Sequence, residues 1–183
     1  MARRLAVPCA ALLLALAACG GGGGESPVGS DQPVVEGDTT CGLAAFREDA
    51  LRLVNARRAA GASCGDEGSF APAAPLAWHT RLELAAYGHS ADMAANDYFS
   101  HTGLDGRSPA DRVTAAGYDW RAIGENIAAG YPDVAAVVDG WMASPGHCAN
   151  LMNPGFRDVG LACAARSGSR YGLYYTLELA TPR

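Results

Sequence analysis

Asp158-Val159-Gly160-Leu161-Ala162-Cys163-Ala164 alternates apolar side chains at Val159, Leu161 and Cys163, and Tyr171 to Ala180 is β-prone through Tyr174, Tyr175 and Thr176. With Gly168 in the turn, the two runs read as a hairpin closing the chain, and Gly124 to Ala128 is a candidate third strand. What precedes them is helical in pattern. Leu43 to Ala60 puts Leu43, Phe46, Ala50, Leu53 and Val54 on one face, with Gly61 as its stop. Ala71 to Pro75 is a proline-broken connector. Ala77 to Asn96 repeats Leu82, Ala85, Ala86, His89 and Met93 at helical steps, Ser108-Pro109 opens a short helix ending at Gly117, and Pro132 to Ala143 carries Val134, Val137, Val138 and Trp141 up to a stop at Pro145-Gly146. Helices first and strands last predict an α+β fold, with helices covering an antiparallel sheet.

The chain has 183 residues, 49% hydrophobic and 18% charged, which suits one domain with a sizeable core. All 14 cations are arginine, against 19 acids, for a net charge of −5. Without lysine there is no Schiff base, Ser–Lys dyad or phosphate-loop lysine, and a mildly acidic chain without a basic run argues against nucleic acid as a partner. Met1 to Ala18, with Arg3 and Arg4 before an Ala/Leu-rich run, reads as an export signal too short to span a bilayer. It ends Leu16-Ala17-Ala18-Cys19 before five glycines, which looks like a bacterial lipobox in which Cys19 is lipidated. The predicted organisation is a signal over 1–18, a flexible tether over 19–40 and a folded domain over 41–183. Membrane attachment is then by the lipid alone. Gly20 after the cysteine, rather than Asp, points to an outer-membrane lipoprotein or to the cell surface or periplasm.

Cys41, Cys64, Cys148 and Cys163 remain in the domain. In an oxidising compartment they imply two disulfides with three possible pairings. The favoured one is Cys41–Cys64, bracketing the first helix, with Cys148–Cys163 tying a loop to a strand. Gly61-Ala62-Ser63-Cys64-Gly65 matches a nucleophile elbow, but a helix precedes it and a loop follows, the wrong context for that device.

Four histidines are present. His101, Glu125 and His147 sit in loops or at element ends, where positioned polar groups gather. His89 lies on an apolar helix stripe and reads as a packed ring bonded to a backbone carbonyl, while His79 reads as a surface residue. The strings Ala86-Tyr87-Gly88-His89-Ser90-Ala91-Asp92-Met93-Ala94, Phe99-Ser100-His101, Asp105-Gly106-Arg107-Ser108-Pro109, Arg112, Gly124-Glu125-Asn126-Ile127-Ala128 and Trp141-Met142-Ala143-Ser144-Pro145-Gly146-His147 together resemble the CAP superfamily in its bacterial SCP-like branch, from about Leu43 to Leu179.

The resemblance implies a three-layer α–β–α sandwich with an antiparallel central sheet and a large exposed cleft. Eukaryotic relatives carry two His and two Glu in that cleft, a set that binds zinc in some of them. His101 resembles the first histidine and Glu125 the first glutamate. Ser144 stands at the second glutamate and Tyr174 at the second histidine, so the tetrad is incomplete. His147 belongs to the bacterial Ser-Pro-Gly-His motif. The expected cleft is His101, Glu125, His147, Ser144 and Tyr174. No cofactor is required, although His101, Glu125 and His147 form a possible zinc set with an open position. The other readings are an acid/base pair and a structural polar network. The expected role is binding of an unidentified envelope lipid, glycan or protein, with a hydrolase and a structural envelope protein as alternatives.

Overall fold

The computed structural model describes residues 37–183; the export signal, Cys19 and most of the tether lie outside the described residues. In chain order come helix α1 (Phe46–Ala60), strands β1 (Ala62–Ser63), β2 (Ser69–Phe70) and β3 (Ala77–Trp78), helices α2 (Thr80–Asn96) and α3 (Pro109–Ala115), strand β4 (Trp120–Ala129), helices α4 (Val134–Met142) and α5 (Pro145–Met152), and strands β5 (Asp158–Ala165) and β6 (Leu173–Pro182). The main sheet runs β3-β5-β6-β4, and β1 and β2 form a separate small hairpin.

Alternation along the strands builds the three layers. Tyr175, Leu177 and Leu179 of β6 join Val159, Leu161 and Cys163 of β5 in a core shared with Phe46 and Val54 of α1 and Trp141 of α4. The intervening side chains face α2 and α3: Ala180 packs with Leu82 and Val113, and Tyr174 with Met93. Gly160 sets how closely α2 can lie, because a Cβ there would fall 2.1 Å from the Glu83 backbone nitrogen. The α–β–α sandwich is therefore present. The sheet is not wholly antiparallel, however, because β3 pairs parallel to β5.

Several boundaries differ from the pattern reading. Ala77 and Trp78 belong to β3, and α2 starts after His79, whose Nδ1 accepts a hydrogen bond from the Arg81 N–H at 3.2 Å. His79 is half-buried, edge-on to Tyr118, so it is not a plain surface residue. Pro145-Gly146 does end α4, but it also opens α5: proline at the first helical position loses no hydrogen bond, and Ser144 stands before it. His147 thereby sits on a helical first turn. At the other end of the domain, Thr39 is buried and donates its hydroxyl to Glu83 Oε1 at 2.7 Å, and Thr40 bridges to Cys163. Two residues assigned to the tether thus belong to the fold.

The disulfides overturn the expected pairing. They join Cys41 to Cys163 and Cys64 to Cys148. Proximity along the chain misled the reading, because strand pairing lays the segment at Thr40 beside β5, and α5 packs on the turn at Gly65–Glu67. The closed loops span separations of 122 and 84 residues, and for loops of that size the chain-entropy contribution is about 4–5 kcal/mol each. Peptide mapping without reduction should recover Cys64 linked to Cys148. Replacing both with serine should lower the unfolding free energy in guanidinium by about 2–5 kcal/mol, whereas a change under about 1 kcal/mol would show that the cross-link carries little of the stability.

Candidate functional site

Glu125 is the unusual residue of β4. The strand turns Ile123 and Ile127 toward the α2 and α3 side, and Glu125 shares that face between them. Its side chain is only 2% exposed, and a carboxylate so buried needs charge-assisted partners. Arg112 of α3 donates from Nη2 to Oε2 at 2.5 Å, and His101 holds Oε1 at 2.6 Å through Nδ1. Arg112 is itself placed by its backbone. The capping box of Ser108 and Asp111, with Pro109 at the first turn, starts α3, and Arg112 Nη1 and Nη2 then donate to the carbonyls of Arg107 and His101, both at 3.0 Å. One guanidinium thus fixes the carboxylate and the loop carrying the histidine.

Burial alone would raise the Glu125 pKa. The hydrogen bond from His101, the Arg112 charge, a hydrogen bond with Glu178 and the nearby His89 outweigh it, so the carboxyl lies below its ordinary value and is ionised at neutral pH. A carboxylate only accepts, so His101 Nδ1 carries a proton. The His101 side chain is half-exposed, so its second nitrogen faces solvent with a fixed ring orientation.

Glu178 is the cross-strand neighbour of Glu125 on β6 and is fully buried. Neither of its oxygens receives a hydrogen bond from a donor among the described residues, and its interacting partner is the Glu125 carboxyl. Two carboxyl groups hydrogen-bond only when one is protonated. Burial, then the charge of Glu125 and the hydrogen bond to it, push Glu178 well above its ordinary value, with Arg112 opposing. Glu178 therefore holds its proton more tightly than an ordinary carboxyl, beside ionised Glu125.

His147 approaches from the other layer. Its carbonyl accepts from Asn126 Nδ2 at 3.0 Å, and Asn150 ties α5 to β4 through the Glu125 carbonyl at 3.2 Å. Burial, then the charge on His101, lowers the His147 pKa, leaving a neutral ring at neutral pH. His147 lines a cavity of about 300 Å³ with Ser144, Phe99, Ile127, Tyr131 and Tyr171. It makes no hydrogen bond to His101 or Glu125.

Among the expected cleft residues, then, His101 and Glu125 are bonded, while His147 and Ser144 line the neighbouring cavity. Tyr174 departs from expectation. It is fully buried, and its hydroxyl donates to Asp97 Oδ1 at 2.7 Å rather than lining the cavity. The zinc set does not fit either. Both Glu125 oxygens are engaged, and among the described residues no three His, Cys, Asp or Glu side chains group to hold a metal ion. His89 does bond a carbonyl, Nε2 to Ser100 at 2.8 Å, and Trp141 is core, its Nε1 donating to the Ile127 carbonyl at 3.1 Å. The reading from sequence gave Arg112 no role and passed over Glu178, although a carboxyl inside the apolar run Tyr174-Tyr175-Thr176-Leu177-Glu178-Leu179 was a legible oddity.

The profile of the family described as CAP, cysteine-rich secretory protein family, matches residues 51–179. The chain belongs to the CAP family. It is similar to the Uncharacterized membrane protein YlbC of Bacillus subtilis, with 40% identity over 88 residues covering 48% of this chain and 25% of YlbC, so it corresponds to a quarter of that relative's length. Among solved structures it is similar to an extracellular protein containing a SCP domain from Bacillus anthracis, at 34% identity and TM-score 0.53, covering 59% of this chain and 34% of that one. An outer surface protein from Borrelia burgdorferi shares the fold at TM-score 0.58 and 18% identity, over 74% of this chain and 95% of that one. In this CAP domain the half-exposed histidine stands on a buried, charge-neutralised carboxylate.

Glu178 gives the site a defined pH signature. A carboxyl whose pKa is raised by folding contributes stability below its unfolded value, near 4.5, and loses it as pH rises toward the folded value, at up to about 1.4 kcal/mol per pH unit. Glu178→Gln keeps a donor toward Glu125 and removes that titration. Urea unfolding should show the variant gaining on the parent as pH rises from about 4 to 7, and parallel curves would mean that Glu178 ionises normally.

Proposed function

We propose that this CAP domain is exported, held at the envelope by a lipid on Cys19, and binds a polar envelope ligand (a lipid headgroup, glycan or protein segment) at the cleft of His101 and His147. The observation that carries this reading is the orientation of His101. Its Nδ1 is fixed on Glu125 at 2.6 Å and its ring is half-exposed, so Nε2 is presented to a ligand without further ordering cost. His147 adds a neutral ring in the adjoining cavity, where Phe99, Ile127 and Tyr171 supply apolar walls. Such a combination, a few fixed polar groups on an apolar lining, is typical of ligand sites.

Binding is favoured over hydrolysis because, among the described residues, neither imidazole hydrogen-bonds a serine, threonine or cysteine side chain. A hydrolase reading draws support from one feature: a carboxylate-backed histidine open to solvent is the arrangement a general base uses. Export is supported by the two disulfides, by the extracellular and outer-surface descriptions of the similar structures, and by the signal read in Met1 to Ala18. Among the described residues no helix is long and apolar enough to cross a membrane, which leaves the acyl chain on Cys19 as the proposed attachment.

Native mass spectrometry of the full-length protein, extracted gently from its host, should show a retained ligand mass on the parent that His101→Ala loses. Identical ligand-free spectra from parent and variant, together with His101-dependent turnover of a generic peptide, ester or glycan substrate, would replace binding by hydrolysis.

A further inference from the structure

A second cavity, of about 590 Å³, opens between α2 and the segment from Gly103 to α3 and shares no lining residue with the His147 cavity. Its size is that of a small-molecule site. Two features of its lining bear on what it can take.

The first is His89. The ring is 99% buried, and its Nε2 meets the Ser100 carbonyl at 2.8 Å. A carbonyl only accepts, so Nε2 carries the proton and Nδ1 of the neutral ring presents a lone pair. That lone pair has no partner among the described residues, and His89 lines the cavity. Accessible from the cavity, it can accept a hydrogen bond from a molecule bound there.

The second is Gly88, in mid-helix beside it. Glycine weakens a helix interior relative to alanine. Nothing local requires it here, because its φ is not positive and no atom lies within 4 Å of where a Cβ would stand. Gly88 is exposed and lines the cavity, so a side chain at this position would project into that open volume.

The two guanidiniums at the cavity are already paired with carboxylates, whereas Asp92 accepts only from neutral donors and the buried Arg112 Nε has no partner among the described residues. Arg107 Nε donates to Asp105 at 2.5 Å, Arg112 holds Glu125, and Asp92 accepts from Asn96 at 2.8 Å and from the Tyr98 hydroxyl. An anionic ligand would find both guanidiniums already paired and a cationic one would face them, whereas hydroxyls can both donate to His89 Nδ1 or Asp92 and accept from Arg107. Leu84, Leu104 and Ala115 give the cavity an apolar wall. We propose that this cavity binds a neutral, hydroxyl-rich molecule the size of one or two sugar rings, with His89 Nδ1 as the central acceptor.

Saturation-transfer NMR on the full-length protein, using N-acetylglucosamine and cellobiose as neutral probes and glucuronate and glucosamine as charged ones, tests this. At ~10 mM probe, a neutral sugar should receive saturation and shift the His89 Nδ1 resonance in the parent. Gly88→Leu, which fills the cavity without meeting another residue at its Cβ, should abolish both effects while melting no lower than the parent. His101→Ala should leave them intact, which separates this site from the cleft proposed above. Absence of binding by either neutral sugar, binding undiminished in Gly88→Leu, an unmoved His89 resonance, or preference for a charged probe would each overturn the proposal.

Discussion

A carboxylate inside a sandwich is the constraint around which this domain is arranged. Glu125 faces inward from β4 between two isoleucines, and leaving it there unpaired would cost several kcal/mol. Arg112 and His101 close on its two oxygens at 2.5 and 2.6 Å. Their placement accounts for much of the irregular structure between α2 and β4. α3 begins with a strong cap and carries Arg112 inward, and the carbonyls of Arg107 and His101 bend back to accept from the same guanidinium. Removing either charge would strand the other, so this polar cluster is stabilising only as a complete set.

Glu178, its carboxyl held well above the ordinary pKa by burial and by the charge of Glu125, extends the same logic across the sheet. Two ionised carboxylates at one cross-strand position would repel in a low-dielectric interior, and one retained proton turns that repulsion into a hydrogen bond. The site therefore has a rigid, dry base and a wet upper edge. His101 stands at that edge with one nitrogen committed below and one available above. Rigidity of this kind favours recognition, since the orienting cost is met during folding rather than on binding.

How much of this could be read along the chain depends on whether the determining interaction is local. The hairpin of β5 and β6 was visible because its alternation is a local property, as was the Ser108-Pro109 start of α3. The parallel strand β3 was not: two residues, Ala77 and Trp78, have no period, and only docking against β5 makes them a strand. Pro145 looked like a stop because proline both ends and begins helices, and only the geometry after Ser144 separates the cases. Disulfide partners depend on topology, so Cys41 found Cys163 across the fold rather than Cys64 next along the chain. At the site, motif resemblance located His101, Glu125 and His147, but it carried Tyr174 by alignment alone. Its ring turned out to be packed with Met93 and bonded to Asp97. Arg112 and Glu178 act through burial and pairing, which no spacing in the sequence reveals.

The most direct examination of this arrangement is a carbon-detected NMR titration of the glutamate side-chain carboxyls. It should find Glu125 protonating below the ordinary carboxyl value and Glu178 holding its proton well above it. Two glutamates titrating together near the ordinary carboxyl value would contradict the account, because the base beneath His101 would then be neither charged nor fixed.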